Sequence, residues 1–271
     1  MQTNKKDTKT INFETDQQVM DRIATRFDIL HDMTKAVIAG DVRAMIVTGP
    51  PGVGKSYGVE KELDKASMMD SIAGRPIKYE VVKGAMTALG LYATLYKHAD
   101  ANHVLVFDDC DSVLMDELSL NILKAALDSG KKRVLHWNAD SNKLRSEGIP
   151  DKFEFKGGVI FITNVKFENV RSRKLQDHLE ALQSRCHYLD LTLDTERDKL
   201  LRIKQIAGTG ALFQDYDFNG HEQEEMLNFL QDNATMVNEL SLRMALKIAD
   251  LRRVSNTNWQ ELARATCMKR R

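Results

Sequence analysis

This sequence of 271 residues contains few prolines and few cysteines, and it has no excess of positive or negative charge. The four prolines argue against a collagen-like or proline-rich chain. The three cysteines lie far apart and form no CxxC pair, which disfavours both a disulfide scaffold and a zinc site. Lysine and arginine together number 39, as do aspartate and glutamate, and this zero balance argues against a protein that coats nucleic acid by bulk charge.

Long apolar runs are missing as well. The longest, such as residues 104–107 and 159–162, have the length of a strand and fall far short of the ~18–20 residues of a membrane span. The first ten residues are polar and lack the apolar core of an export signal. We therefore expect a soluble, cytoplasmic protein with one large domain, or with one large domain and a small satellite.

Strand-like and helical patterns alternate up to residue 193. Five short apolar runs have strand character, at residues 44–47, 77–82, 103–107, 158–163 and 187–193. Helical segments lie between them, at about 55–65, 89–99 and 117–129. Unalternated strands separated by helices are typical of a parallel sheet covered on both faces. The predicted fold class is therefore α/β, with a three-layer parallel sheet.

Only helical patterns follow residue 193. Four helices are predicted, at about 195–207, 221–231, 239–253 and 258–269. The last should open with a capping box formed by Asn258 and Glu261. We expect a flexible N-terminal arm at 1–18, an α/β domain at 19–193 and a helical lid domain at 194–271.

A long connection separates the third and fourth strand-like runs. Within it, residues 134–137 and 153–155 could pair as a hairpin, with Lys143 and Arg145 at a polar tip. Connections of this length without regular structure are usually functional or disordered.

The strongest motif is GPPGVGKS at residues 49–56, which fits G-x-x-x-x-G-K-[ST] between a strand and an amphipathic helix. Its glycines let backbone N–H groups point at phosphate oxygens, and the helix N-terminus adds partial positive charge. Lys55 would reach the β- and γ-phosphates, and the Ser56 hydroxyl would ligate Mg²⁺. The expected nucleotide-binding residues are Gly49, Pro50, Pro51, Gly52, Val53, Gly54, Lys55, Ser56 and Tyr57.

Two carboxylates, Asp108 and Asp109, follow the buried-strand pattern at 103–107. Beside the phosphate-binding strand they would lie at the carboxyl edge of the sheet, where open α/β sheets bind ligands. Asp108 would then hold the water shell of Mg²⁺, and Asp109 could orient and deprotonate an attacking water. The alternative is an acidic turn or a helix cap at the end of the strand.

With these two motifs the sequence resembles the AAA+ ATPases, a family of P-loop NTPases, over roughly residues 26–264. The resemblance implies ATP as the nucleotide, Mg²⁺ as the metal and catalysis in which Lys55 takes part. Asn164, at the end of the run 158–163, is similar to the polar sensor-1 residue that contacts the γ-phosphate or the attacking water. An asparagine that ends a strand in a turn is the alternative.

Two arginines also match positions of that family. Arg185, in Ser184-Arg185-Cys186, is similar to the arginine finger of clamp loaders, which reaches the γ-phosphate of the neighbouring subunit. Arg171 and Arg173 are competitors for this role, and a surface salt bridge is the alternative. Arg243 resembles sensor 2, an arginine that reports the nucleotide state from the lid, with a solvated helix charge as the alternative.

Some positions depart from the family or bear on its subdivisions. Asp109 stands where the family usually has Glu, so hydrolysis could be slow or use a repositioned water. The segment 131–155 resembles the hairpin inserted before sensor 1 in helicase-, unfoldase- and chelatase-like clades. The loop at 83–92 resembles a pore loop with Met86 as its candidate tip, although the usual aromatic residue is absent. The compact chain resembles phage-encoded or mobile-element members.

Two functions follow from the resemblance. The first is an ATPase that forms a homo-oligomeric ring, expected to be a hexamer with Arg185 acting in trans, and remodels a protein or nucleic-acid substrate. The alternative is a nucleotide-dependent switch or scaffold that assembles on DNA, as clamp loaders and transposition regulators do, with slow hydrolysis.

Two basic segments bear on the choice, since they could contact phosphate backbones, although a solvated helix face is the commoner explanation. Their residues are Lys131, Lys132, Arg133, Lys143, Arg145, Arg252, Arg253, Arg264, Lys269, Arg270 and Arg271.

Overall fold

The computed structural model of the chain describes residues 14–269. The first half of the chain contains α1 (Asp16–Ala39), β1 (Ala44–Thr48), α2 (Lys55–Ile72), β2 (Tyr79–Lys83), α3 (Ala88–Lys97), β3 (Val104–Asp108) and α4 (Glu117–Ala126). The second half contains β4 (Val134–His136), α5 (Asn142–Ser146), β5 (Lys152–Glu154), β6 (Gly158–Thr163), α6 (Arg173–Gln183), β7 (His187–Asp190), α7 (Glu196–Gly208), α8 (Gly220–Asp232), α9 (Leu242–Val254) and α10 (Trp259–Cys267).

A five-stranded parallel sheet forms the centre of the α/β part, in the order β2-β3-β6-β1-β7. Every residue of β1, β3 and β6 is buried, which explains why these strands are apolar without alternation. The parallel α/β fold expected from the sequence is confirmed. The strand that follows β1 in the chain is not its neighbour in the sheet, and the carboxyl end of a strand at such a point is where open α/β sheets bind ligands.

The predicted hairpin is also confirmed, since β4 and β5 form an antiparallel pair in which Leu135 lies opposite Phe153. Phe153 packs edge-on against Tyr92 and Tyr96 of α3, with ring centroids 5.0 Å and 5.2 Å apart. The inserted hairpin is therefore anchored to the sheet domain by aromatic packing. The short helix α5 occupies its polar tip.

The chain divides into two compact units. One unit contains the sheet, over Arg26–Asp194, together with Ser241–Met244. Of the described residues, the other contains 14–25, Thr195–Leu240 and 245–269. This division differs from the sequence-based boundaries, because it assigns Ser241–Met244 to the sheet unit and the start of α1 to the helical unit. No helix of the described residues has the length and apolar character needed to cross a bilayer.

Two details at helix ends correct the sequence-based expectations. Helix α1 begins at Asp16, so residues 16–18 are helical, and residues 1–13 of the expected arm lie outside the described part of the chain. The capping box belongs to α8, where Asn219 and Glu222 each bond the backbone N–H of the other at 3.0 Å. Asn258 makes no such bond, because its ψ of 7° departs from the extended geometry that an N-cap side chain requires.

Candidate active site

The glycine-rich loop between β1 and α2 has a backbone that its glycines alone permit. Gly52 adopts a φ of +69°, and a Cβ added there would lie 2.7 Å from the Cβ of Ser241. Gly49 also approaches the backbone of Leu191, with 3.0 Å from its added Cβ to the carbonyl carbon. The loop is therefore confined on two sides, and its shape depends on residues without side chains at these positions.

Lys55, the first residue of α2, points its ammonium group back across this loop. Its Nζ donates to the carbonyl oxygens of Gly49 and Pro50, at 2.7 Å and 2.9 Å, and to Oδ1 of Asn164 at 2.7 Å. Burial lowers the pKa of Lys55 to about 8, although the carboxylates of Asp109 and Asp108 oppose this shift. Within residues 14–269 the buried ammonium group contacts three neutral acceptors and no carboxylate, an arrangement in which an anionic oxygen would be a stronger partner.

The remaining loop residues differ in their surroundings. Val53 is buried, and Pro51 is exposed to solvent. Tyr57 lies one residue beyond Ser56 on α2 and is 56% exposed, with the ammonium group of Lys61 5.7 Å from its ring centroid. Its ring therefore lies outside the hydrogen-bonded cluster around Lys55.

Ser56 and Asp108 place two oxygen atoms side by side at the carboxyl edge of the sheet. The hydroxyl of Ser56 donates to Oδ1 of Asp108 at 2.8 Å, and the Asp108 side chain is buried. Hydroxyl and carboxylate oxygens are ligands that suit Mg²⁺, which keeps several waters and takes further oxygens from phosphate groups. These two residues therefore fit a Mg²⁺ ion that arrives with a nucleotide.

Asp109 and Asn164 complete a chain of hydrogen bonds that starts at Lys55. The Asn164 side chain accepts from Lys55 through Oδ1 and donates through Nδ2 to Oδ1 of Asp109 at 3.0 Å. They meet because β3 and β6 are neighbours in register, with Asp108 opposite Ile162. Burial and the charge of Asp108 raise the pKa of the Asp109 carboxyl.

The backbone of Asp109 bears on its identity. Its φ is +50°, in the left-handed region where aspartate and asparagine are enriched among residues with side chains. Its N–H donates to the carbonyl oxygen of Ile162 at 3.0 Å, so the turn is fixed to β6. An aspartate at this position therefore suits the local backbone.

Arg243 lies close to this cluster. It belongs to the segment Ser241–Met244 of the sheet unit, in which the N–H of Leu242 donates to the carbonyl oxygen of Gly52 at 2.9 Å. The positive charge of Arg243 adds to the lowering of the Lys55 pKa, and it partly opposes the rise in the pKa of Asp109. The structure therefore brings Arg243 within electrostatic reach of the two residues.

Arg185 is not part of this cluster. It follows the end of α6, where its guanidinium donates to the carbonyl oxygen of Ala181, and its buried Nε has no partner among the described residues. Arg171 and Arg173 are exposed to solvent. Within one chain, then, no described contact links any of the three arginines to Lys55 or Asp109.

The basic segments are less available than the sequence suggested. Arg133 is buried, donates to the carbonyl oxygens of Ala126 and Gly157, and lies over the ring of Phe155. Arg252 is also buried, and it pairs with Glu225 at 2.8 Å. Both side chains serve the packing of their own units, so neither belongs to an exposed basic surface. Of the terminal arginines expected in this surface, Arg270 and Arg271 lie outside the described residues.

The sequence motifs do not predict one residue that contacts this cluster from the side. Lys83, the last residue of β2, lies 3.3 Å from Oδ2 of Asp108. Ser112 bonds both the N–H and the carbonyl oxygen of Met86, which is half-buried and packs against the core. Met86 is thus not a projecting loop tip, which corrects that expectation. For Lys83, the available signal was its position directly after the strand-like run 77–82.

Comparisons with known proteins agree with a phage relationship. No family model matches the chain. The uncharacterized 36.7 kDa protein in the nrdC-mobD intergenic region of Enterobacteria phage T4 is 35% identical over 252 residues, which cover 92% of this chain and 76% of the phage protein.

Two solved structures are similar at lower identity. The replication initiator DnaA bound to AMPPCP and single-stranded DNA is 13% identical, with a TM-score of 0.48, over 90% of this chain and 65% of that chain. PCH-2 of C. elegans is 15% identical, with a TM-score of 0.39, over 91% of this chain and 66% of that chain. The chain thus spans slightly less than two thirds of each structure.

The chain's own architecture identifies its fold. A glycine-rich loop with Lys55 and Ser56 joins a central strand to a helix, and Asp108 ends a nearby strand of a parallel five-stranded sheet. Asn164 directly follows the strand between them, and the chain also contains a helical unit. The chain has the fold of the AAA+ P-loop ATPases and belongs to the family of the phage T4 protein of the nrdC-mobD intergenic region.

Proposed function

We propose that this chain binds ATP together with Mg²⁺ and hydrolyses it to ADP and phosphate. The observation that carries the proposal is the line of hydrogen bonds from Lys55 through Asn164 to Asp109, beside the pair formed by Ser56 and Asp108. In this proposal the loop from Gly49 to Gly54 and the Lys55 ammonium group bind the phosphates. Pro50, Pro51, Val53 and Tyr57 contribute position and shape rather than charge.

Ser56 and Asp108 would hold the metal. Mg²⁺, when bound, neutralises charge that develops on the phosphate oxygens during transfer. The Asp109 carboxylate would accept a proton from the attacking water as the new O–P bond forms and ADP departs. Its raised pKa makes it a better proton acceptor than an ordinary aspartate. The amide of Asn164 would orient that water, and Arg243 would add positive charge near the nucleotide.

A first test uses the pKa of Lys55. Because bound phosphate favours the protonated amine, its pKa is higher in the complex than the value of about 8 in the free protein. We expect full ATP affinity below pH 8 and a loss of up to about tenfold per pH unit above it, measured by calorimetry. The terminal phosphate titrates near pH ~6, outside this range.

A matched variant separates this effect from general alkaline instability. In Lys55→Arg the guanidinium stays protonated at every pH tested, so whatever affinity remains should be flat between pH 8 and 9.5. A flat profile in the wild-type protein would count against direct contact between Lys55 and phosphate.

We further propose that activity requires a second copy of the chain. The observation that supports this is that Arg185 does not contact the cluster within one chain. Its guanidinium donates instead to the carbonyl oxygen of Ala181. In a homo-oligomeric ring, proposed to be a hexamer, Arg185 would reach the γ-phosphate bound by a neighbouring subunit, and the ring would remodel a protein or nucleic-acid client.

Oligomer-dependent activity is tested by dilution. We expect ATP turnover per chain to rise steeply with protein concentration and to fall by about 10³-fold or more in Arg185→Ala, while ATP affinity changes little. Arg75→Ala, which removes an exposed arginine that pairs with Asp70 and has no proposed role in the site, serves as the matched control. Turnover that is independent of concentration and survives Arg185→Ala would exclude the shared site.

The alternative is a slow switch that assembles on DNA. The observation that favours it is Asp109, whose carboxylate is shorter than the usual glutamate and already bonded to Asn164. The burial of Arg133 and Arg252 removes two charges from the surface that such a function would use.

A further inference from the structure

Lys83 occupies an unusual place next to the proposed metal site. It is the last residue of β2, directly opposite Asp108 in the register of the two neighbouring strands. Its Nζ lies 3.3 Å from Oδ2 of Asp108 and 2.8 Å from Oε1 of Glu60, which lies on α2. One ammonium group is thus shared between a carboxylate of the site and a carboxylate outside it.

The two carboxylates differ in their exposure. The Asp108 side chain is 6% exposed and has both oxygens engaged, one by Ser56 and the other by Lys83. The Glu60 side chain is 38% exposed, and the Lys83 side chain is 59% exposed. The lysine can therefore move with little steric cost, whereas Asp108 is fixed in place.

The charges have a direct consequence for metal binding. A buried carboxylate without a cation nearby is unfavourable, so Lys83 stabilises the ionised Asp108 when no metal is present. A dication that binds the same carboxylate meets the ammonium group at short range and is repelled by it. Glu60 supplies a second partner to which the ammonium group can retreat.

We propose that Lys83 is a positioning residue whose ammonium group neutralises Asp108 when no metal is bound. When Mg²⁺ binds Asp108, the ammonium group moves away to Glu60. The proposal rests on the proposed function, because it requires Asp108 to hold Mg²⁺. It sets the Mg²⁺ concentration at which the site fills: Lys83 raises that concentration, and Glu60 lowers it by drawing the ammonium group away.

The test is the Mg²⁺ concentration needed for half-maximal binding of a non-hydrolysable ATP analogue, measured by fluorescence at a fixed trace of nucleotide. Complexes of Mg²⁺ with free nucleotide are common to all variants, so differences between variants report the protein. Lys83→Met should lower the half-saturating Mg²⁺ about two- to fivefold, the range set by a solvent-exposed ion pair. Glu60→Gln should raise it by a similar factor.

The double variant gives the sharpest comparison. Without Lys83 there is no ammonium group for Glu60 to attract, so Lys83→Met combined with Glu60→Gln should behave as Lys83→Met alone. Lys83→Arg should stay close to the wild-type protein. Lys97→Met is the matched control, since Lys97 is a comparably exposed lysine paired with Glu147, and it should leave the half-saturating Mg²⁺ unchanged.

The outcomes separate the two proposals. If Lys83→Met raises the half-saturating Mg²⁺ or leaves it unchanged, the proposed role of Lys83 is wrong while ATP binding stands. The same holds if the Glu60→Gln effect persists without Lys83. If the folded wild-type protein binds no nucleotide at any Mg²⁺ concentration, the proposed function fails and the role of Lys83 fails with it. Thermal unfolding of each variant verifies that it is folded.

Discussion

Replacing Lys55 by methionine is expected to weaken ATP binding by about 100-fold or more. Each hydrogen bond from an ammonium group to a charged oxygen contributes about 1.5–3 kcal/mol, and Lys55 is placed to reach two phosphates. Methionine has a similar length and no charge, so it keeps the side-chain packing within the loop and removes only the hydrogen-bond donor. Calorimetry or the fluorescence of a labelled ATP analogue measures the change directly.

The matched control for this variant is Lys61→Met. Lys61 lies on the same helix α2, but it is exposed and lies over the ring of Tyr57. The substitution makes the same change in charge, so a general electrostatic effect would appear in both variants. Equal affinities for the wild-type protein and Lys55→Met, with both proteins folded, would refute the phosphate-binding role of the loop.

Replacing Asp109 by asparagine should reduce ATP hydrolysis by about 10²–10⁴-fold, the usual contribution of a general base. The substitution is mild for the fold, because asparagine also tolerates the φ of +50° and keeps an oxygen that can accept from Asn164. ATP affinity should therefore stay within a few-fold of the wild-type value. Single-turnover release of phosphate, measured next to equilibrium binding, separates the two effects.

The same variant separates the motor from the switch. A motor needs rapid turnover, so Asp109→Asn should abolish remodelling even if the variant still binds ATP and its subunits still assemble. A switch needs only nucleotide binding, so ATP-dependent assembly on DNA should survive in Asp109→Asn. Asn258→Ala, at a helix end that lacks a side-chain cap, is a suitable control. Unchanged hydrolysis in Asp109→Asn would mean that another group takes the proton.

Much of the fold was predictable because its signals are local. The strands β1, β3 and β6 are buried throughout, so they are apolar at every position and stand out as short runs. The loop at Gly49–Ser56 was equally clear, since its backbone geometry needs glycines at fixed spacing. The capping box at Asn258 was wrong, because a cap depends on backbone dihedral angles that the residue types do not fix.

The charged residues were harder to place. The sequence puts Arg133 and Arg252 in basic segments, yet both side chains are buried. Arg133 donates to two backbone carbonyl oxygens, and Arg252 pairs with two glutamates. Long side chains can cover apolar surface and pair at a distance, so a count of charges along the chain does not give their exposure. Lys83 follows the strand-like run 77–82, but its contact with Asp108 depends on the pairing of β2 with β3, which the residue types do not indicate.

By itself the sequence determined which residue types are available for phosphate, metal and proton transfer, because glycine, lysine and aspartate at those spacings have few other uses together. Only the tertiary structure decided which of them meet. Lys55, Asp109 and Asn164 are 54 and 55 residues apart in sequence, and they join because β6 lies between β1 and β3. Strand order is set by packing across the whole sheet, which no local pattern records.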